Sequence, residues 1–200
     1  MSDHHHEIDM TEVFQLPPQE VNLSDFPIDE EWILDIGGGG EGIIGQLKGR
    51  QVVAIDRMGP ELEETSNEAL KLVMDAKALQ FLGNSFGTAT LFFTLMYIPF
   101  EDLDQIFSEI ARVLKPGGDL LIWDVNVDVP KELDEKIKYF MVPLTVTFPN
   151  GETNETGYGA SIRSQTLRSF SSAAEKHGFE LVDHQTNDLT FHARFILRKG

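Results

Sequence analysis

The sequence predicts an α/β domain built on a mostly parallel sheet, and three observations carry that prediction. Residues Trp32 to Gly42 read W-I-L-D-I-G-G-G-G-E-G, a short apolar run that enters four successive glycines. From there to Asp124, apolar runs of strand length alternate with amphipathic or turn-rich segments, the pattern of successive strand–helix–strand units. The chain ends on two apolar runs, Phe179 to His184 and Leu189 to Leu197, joined by a turn short enough to require an antiparallel pair.

A buried strand that runs into a glycine-rich turn and then a helix is the usual path for holding a nucleotide-like ligand. Glycine leaves no Cβ to keep a ligand off the main chain, and the following helix aims unsatisfied N–H groups at whatever sits in the turn. Asp35, two residues before the first glycine, stands where a dinucleotide-binding turn normally has an apolar residue. Glu41 to Lys48 reads as a short helix with Ile43, Ile44 and Leu47 toward the sheet, closed by Gly49. Val52 to Ile55 then form a second buried strand ending in Asp56. An acid there, about 20 residues after the glycine turn, is placed to accept from ribose hydroxyls or simply to shape a turn.

Acids early in Pro60 to Ala69 suit a helix N-terminus. Leu70 to Met74 is a third strand closed by Asp75, Ala76 to Leu82 a short helix or turn, and Thr88 to Thr94 a fourth strand, apolar as a central parallel strand must be. Phe100 to Leu114 is the clearest helix, with Leu103, Ile106, Phe107, Ile110 and Val113 on one face. Pro116-Gly117-Gly118 stops it, and Leu120 to Trp123 is a fifth strand ending at Asp124. Lys131 to Lys138 reads as an exposed helical piece. Val142, Leu144, Val146 and Phe148 then alternate as a half-buried strand, and Asn150-Gly151 predicts a hairpin returning through Glu152 to Ser161. Ser164 is expected to cap a helix running to His177.

Composition narrows the function classes. A hydrophobic fraction of 41% with 10% aromatics suits a globular chain, and 200 residues suit one α/β domain. The longest apolar run, near Leu91 to Phe100, is too short to span a bilayer, and the N-terminus lacks the pattern of a signal peptide. Cysteine is absent, which excludes disulfides, thiolate metal sites and thiol nucleophiles. A cytoplasmic location is expected, as a monomer or homodimer. The net charge of −17 argues against nucleic acid as substrate, although Arg112, Lys115, Lys131, Lys136 and Lys138 lie fairly close in sequence. Residues 1–30 are expected to be a partly disordered extension. His4, His5 and His6 read as a tag remnant or tail rather than a metal site, and Val13, Phe14 and Leu16 are candidates to fold back over a pocket.

The set Asp35-Ile36-Gly37-Gly38-Gly39, Asp56, Asp75-Ala76 and Arg112-Val113-Leu114-Lys115-Pro116-Gly117-Gly118 resembles the class I S-adenosylmethionine-dependent methyltransferases over about residues 31–125. That resemblance implies a three-layer α/β/α Rossmann-like fold whose seven strands run in the order 3-2-1-4-5-7-6, the last antiparallel. Residues 31–200 would form the methyltransferase domain, with a hairpin inserted at about 139–161. The cofactor would be S-adenosyl-L-methionine, with S-adenosyl-L-homocysteine as product, and no metal is implied. Gly37 and Gly39 would approach its methionine part and Asp56 its ribose. Asp75 and Ala76 would meet the adenine, Arg57 and Met58 would pack beside it, and Thr94 would sit near the sulfonium. Met58 is equally accounted for by core packing.

One departure from the family pattern is Glu41, which stands where a third glycine is common. It either binds the ammonium of the methionine moiety or only favours the helix dipole. The run Gly38 to Gly42 also looks like the G-G-G-D-G of aminopropyltransferases, but the acid those enzymes keep after the fourth strand is missing from Phe93 to Tyr97. Met96-Tyr97-Ile98-Pro99 is not the proline-proline-aromatic box of base-amine methylases, which leaves a small-molecule acceptor. Methyl transfer is an in-line displacement that alignment and exclusion of water can accelerate without a base. The candidates for a base, if one is used, are Tyr97, Asp124, Tyr158 and His177. Two other readings stay open. One is an NAD(P)-binding oxidoreductase, because Gly37, Gly39 and Gly42 satisfy G-x-G-x-x-G, and the other is a non-catalytic cofactor-binding protein.

Overall fold

The computed structural model describes residues 9–24, 26, 31–129 and 136–198. The central sheet contains β3 (Ile33–Ile36), β4 (Val52–Asp56), β5 (Leu70–Val73), β6 (Phe86–Phe92), β7 (Leu114–Val125), β10 (Phe179–Asn187) and β11 (Thr190–Leu197). Their spatial order is β10-β11-β7-β6-β3-β4-β5. Numbered among themselves, the strands run 3-2-1-4-5-7-6, as the resemblance implies. Strand β11 is antiparallel to both neighbours, and the other pairings are parallel. All four residues of β3 and all seven of β6 are buried, because both faces of the sheet are covered.

Each face has its own apolar core. On one side α3 (Leu103–Val113) and α4 (Leu167–Glu175) pack against Leu34, Ile36, Leu91 and Ile122 through Phe107, Ile110 and Phe170. On the other side α1 (Ile43–Lys48) and α2 (Gly59–Glu64) share the layer with a second, four-stranded sheet. That sheet holds the expected hairpin, β8 (Tyr139–Thr147) and β9 (Thr153–Ser161), paired from Tyr139–Ser161 to Thr147–Thr153. The inward alternation is as read from the sequence, with Phe140, Val142, Leu144 and Val146 buried.

The N-terminal stretch also belongs to this sheet. β1 (Val13–Gln15) and β2 (Gln19–Asn22) lie parallel to the same edge of β8 as one interrupted strand. Pro17 and Pro18 have no N–H to give to a ladder, so the strand breaks at them and resumes at Gln19. Leu16 is buried, while Phe14 is exposed. The histidines at 4–6 and most of the helical piece expected at 131–138 lie outside the described residues, and Lys136 to Lys138 lead into β8 without a helix.

Three boundaries differ from expectation. The fourth strand ends at Phe92 because Phe93 takes a left-handed conformation, φ 51°. The fifth begins at Leu114 rather than Leu120. Leu114 pairs with Phe86 and Asp119 with Thr88, so Lys115 to Gly118 bulge from an otherwise continuous strand. Helix α4 is capped by Thr166, whose side chain accepts from the Ser169 N–H in a capping box, not by Ser164. Ser164 instead accepts from Val129 N–H and donates to Asp128, both at 3.0 Å. The adjacent Val127–Gln165 bridge keeps the chain extended until Thr166.

Candidate functional site

The carboxyl ends of β3, β4, β5 and β6 open on one cleft of about 900 Å³, roofed on one side by β9. Asp35, Gly37, Gly39, Glu41, Asp56, Arg57, Met58, Asp75, Ala76 and Thr94, all expected from the sequence, line it. So do two of the four candidate bases, Tyr97 and Tyr158.

The glycine turn is tight for steric reasons that can be stated atom by atom. Gly37 has φ +74°, and a Cβ there would lie 2.5 Å from both Oγ1 and Cγ2 of Thr94. A Cβ on Gly39 would lie 2.6 Å from Cβ of Glu61 and 3.0 Å from Oδ2 of Asp56. Backbone bonds fix the turn from both sides. Gly37 and Gly38 N–H donate to the Ile55 carbonyl at 2.8 and 3.1 Å, and Gly40 N–H donates to the Glu61 carbonyl at 2.9 Å. A side chain at Gly37 or Gly39 would therefore push the end of β6 or α2, and a main chain bare of side chains faces the cleft.

Asp35 lies beneath this turn. It is 2% exposed, and its Oδ1 accepts from the Thr90 hydroxyl at 2.7 Å. Burial pushes its carboxyl up to about 7, against the opposing Thr90 bond and with a smaller push from the charge of Asp56. Asp56 shapes a turn, one of the two readings made of it, and keeps its second oxygen toward the glycines. Oδ1 accepts from the Met58 N–H at 2.8 Å, an Asx-type turn, while Oδ2 faces Gly39 across the turn. Asp75 repeats the arrangement at the next strand end, accepting from Lys77 N–H at 2.9 Å, with Arg57 Nε 3.9 Å away. Arg57 and Met58 are exposed, so core packing does not account for Met58.

At the other end of the cleft, Thr94 donates to the Ile36 or Phe92 carbonyl, at 3.0 and 3.2 Å, and so ties the ends of β3 and β6 together. Phe93 before it is buried in a conformation that costs a residue with a Cβ about 1–2 kcal/mol. It is held there by its N–H bond to Trp123 at 2.8 Å and by stacking on Tyr158, 5.3 Å between centroids and 10° between planes. Strain of this kind concentrates at functional sites. No sequence feature marked Phe93, because a left-handed residue is readable in advance only when it is glycine or asparagine.

The insertion closes on the glycine turn directly. Glu41 accepts a hydrogen bond from the Thr156 hydroxyl on β9, and its charge, after burial, raises the Tyr158 phenol well above its ordinary value. Tyr97 is pushed up to about 12, mainly by burial of its hydroxyl, with a backbone hydrogen bond at Gly159 opposing. Both phenols stay protonated at neutral pH, so they serve as hydrogen-bond partners rather than bases.

The remaining two candidate bases are not in the cleft. Asp124 is fully buried beneath the turn at Leu95–Tyr97, accepting from Val125 N–H at 2.8 Å and Met96 N–H at 3.3 Å, with burial raising its carboxyl to about 7. His177 sits at the end of α4, its Nε2 3.0 Å from Asp104. Arg163 went unmarked in the sequence. It donates to the carbonyls of Leu95, Met96 and Ile98 at 3.0, 3.2 and 2.5 Å and lies 4.6 Å over the Phe100 ring, anchoring the turn that carries Tyr97.

No three or more His, Asp or Glu among the described residues are grouped to hold a metal, and no helix among them is long and apolar enough to cross a membrane. A bare glycine turn with carboxylates at three successive strand ends fits an adenosyl ligand that has a cationic amino-acid tail.

Comparison with known proteins agrees with this geometry. A methyltransferase-domain family matches residues 34–122. The ubiquinone/menaquinone biosynthesis C-methyltransferase UbiE of Brucella canis is 29% identical over 171 residues, covering 76% of this chain and 63% of that protein. The chain thus spans under two thirds of the length of that relative. The sterol 4-C-methyltransferase strm-1 of Caenorhabditis elegans is 35% identical over 65 residues, covering 32% of this chain and 19% of that protein. A solved S-adenosylmethionine-dependent methyltransferase from Methanosarcina mazei superposes with TM-score 0.61 at 21% identity, covering 86% of this chain and 94% of the other. One from Mesorhizobium loti gives 0.58 at 14% identity, covering 82% and 90%. With the strand order, the glycine turn and this match over the same residues, the chain has the fold of the class I S-adenosylmethionine-dependent methyltransferases and resembles that family over residues 34–122.

Proposed function

We propose that this protein transfers a methyl group from S-adenosylmethionine to a small-molecule acceptor. The observation that carries the reading is the convergence of Asp35, Asp56 and Asp75 with the bare glycine turn on one 900 Å³ cleft. The fold by itself would not suffice, since a [4+2]-cyclase, SpnF, is among the structural neighbours, with TM-score 0.59 at 15% identity. When bound, the cofactor supplies a methyl on a cationic sulfur, which keeps the bonding electron pair as the methyl leaves. The acceptor gains CH3 and, in net, gives up a proton.

The chain's own residues bind, orient and exclude water. Asp56 holds the ribose hydroxyls with the oxygen that its turn leaves over, and Asp75 with Ala76 reads the adenine edge. Gly37 and Gly39 admit the amino-acid part, and Thr94 marks the end at which the acceptor must arrive. The hairpin strand β9 covers that end, and Tyr158 with Phe93 walls it from solvent. Neither tyrosine of the cleft is poised as a base, which supports alignment and desolvation as the main sources of rate. The names of the UbiE and sterol enzymes support a small organic acceptor.

Calorimetric titration with S-adenosylhomocysteine tests the reading. Wild type binds, and Asp56→Ala loses about 1.5–3 kcal/mol, or about 10-fold to 150-fold in affinity, with the ribose bonds. Equal binding by the variant, or stabilisation by NADH in place of S-adenosylhomocysteine, refutes it.

A further inference from the structure

The two ends of the cleft differ in charge. At the β4–β5 end both lining cations are matched: Lys77 Nζ lies 3.1 Å from Asp102 and Arg57 Nε 3.9 Å from Asp75. At the β6–β9 end the lining residues include Phe92, Phe93, Tyr97 and Tyr158 together with Glu41, which is tied to β9, while Glu61 on α2 lines the glycine turn beside it. Neither glutamate has a cationic partner within 4.0 Å among the described residues. Arg163, five residues beyond Tyr158, spends its guanidinium on three carbonyls and the Phe100 ring and does not line the cleft.

Such an end discriminates by charge. An anionic acceptor would be desolvated beside unneutralised carboxylates and would find no donor of opposite charge. A cation gains from the same carboxylates and from aromatic rings. The net charge of −17 draws cations from solution and repels anions. The rings also give apolar area for a flat or hydrocarbon body. A cleft of 900 Å³ lies at the upper end of ordinary ligand pockets, with space for an adenosyl ligand and a second small molecule together.

We propose that the methyl acceptor is a basic amine with a flat, apolar body, drawn as its cation to the β6–β9 end by Glu41, Tyr97 and Tyr158. Glu41 then takes the ammonium proton, the freed nitrogen lone pair bonds to the methyl carbon, and the electron pair of the broken carbon–sulfur bond stays on sulfur. Glu41 is the specificity-determining residue. Because the Thr156 hydroxyl holds its carboxylate from β9, the inserted hairpin fixes where the positive charge sits. This inference rests on the methyl-transfer reading above.

The experiment separates the two. Binding of S-adenosylhomocysteine alone is measured first, and its failure removes the methyl-transfer reading. With that ligand saturating, calorimetry then compares 2-phenylethylamine and tryptamine with the matching neutral alcohols and carboxylates at pH 7.5. The amines are expected to bind at least about 10-fold tighter than the alcohols, with the carboxylates weakest, and 0.5 M salt to shrink the gap. Glu41→Gln should remove most of that preference, and Tyr158→Leu should weaken the amines about 3-fold to 30-fold. Alcohols or carboxylates that match the amines, or absence of amine binding to the loaded protein, overturn the proposal. So does a Glu41→Gln variant that loses affinity for S-adenosylhomocysteine yet keeps the amine preference, since Glu41 would then belong to the cofactor.

Discussion

Asp35→Asn separates the two duties of the acid beneath the glycine turn, because the substitution should help the fold while harming the site. The wild-type carboxyl is buried, accepts from the Thr90 hydroxyl at 2.7 Å, and is pushed up to about 7 by that burial. In the unfolded chain an aspartate titrates near 4. Between those values the folded protein holds a proton that the unfolded chain has released, so stability falls as pH rises through the window. The slope is about 1.4 kcal/mol per pH unit and slackens as the acid ionises, which makes about 2 kcal/mol between pH 5 and pH 7. Asparagine keeps a carbonyl for Thr90 and never ionises, so its protein lacks that fall. Urea unfolding followed by circular dichroism should then show the variant's advantage over wild type growing by about 2–3 kcal/mol from pH 5 to pH 7.5. Taking the difference cancels the general repulsion of an acidic chain, which titrates alike in both proteins. The cofactor's positive charge favours the ionised acid. Wild-type affinity for S-adenosylmethionine should therefore rise through pH 7 while that of the variant stays flat. Parallel stability curves, with a difference constant to about 0.5 kcal/mol across the range, would refute the account of how Asp35 is held.

The companion substitution Asp124→Asn should show the same pH trend from a lower starting point. Both carboxylate oxygens accept backbone N–H bonds, from Val125 and Met96, so an amide leaves one N–H facing an NH2 and costs about 1–3 kcal/mol in urea unfolding at pH 5, and because burial raises this carboxyl to about 7 as well, the deficit should shrink toward pH 7.5. Gly39→Ala forces its new Cβ to within 2.6 Å of the Glu61 Cβ. It should lose about 1–3 kcal/mol of stability and weaken S-adenosylhomocysteine by at least about 10-fold in calorimetry, since the displaced lip is the ligand's wall. Arg163→Ala strips the Leu95–Ile98 turn of its donor and should lower stability by about 2–3 kcal/mol, with lysine recovering part.

Most of the central sheet was legible because its inner strands are buried on both faces. Burial of that kind leaves a mark in the chain itself: I-L-D-I, V-V-A-I-D and F-G-T-A-T-L-F admit few polar residues, and those they admit are at strand ends or bonded, as Asp35 is to Thr90. The positions of Asp35, Asp56 and Asp75 follow from the same fact, since a charge next to a buried strand must be where the strand emerges. The glycine turn was legible for a different reason. Steric exclusion at Gly37 and Gly39 allows one residue type, and a constraint with one solution is readable from one sequence.

The second sheet shows where that reasoning stops. β8 is half-buried and alternates, so its pattern names a strand, but V-F-Q and Q-E-V-N have no such signature. β1 and β2 exist because β8 offers them an edge more than 115 residues away, and Pro17-Pro18 disguises them as one polar, broken tail. Arg163 and Phe93 were missed on the same ground. Three carbonyls and a ring make an arginine site only after β9 and the β6 turn have met, and Tyr158 keeps Phe93 in place from across the cleft. Local sequence thus records what the backbone can tolerate at one point, while the acceptor end depends on contacts between segments that each look ordinary. The half of the cleft proposed for the cofactor belongs to the first kind and the half proposed for the acceptor to the second. For this reason the acceptor's chemistry had to be argued from which charges in the folded cleft lack partners.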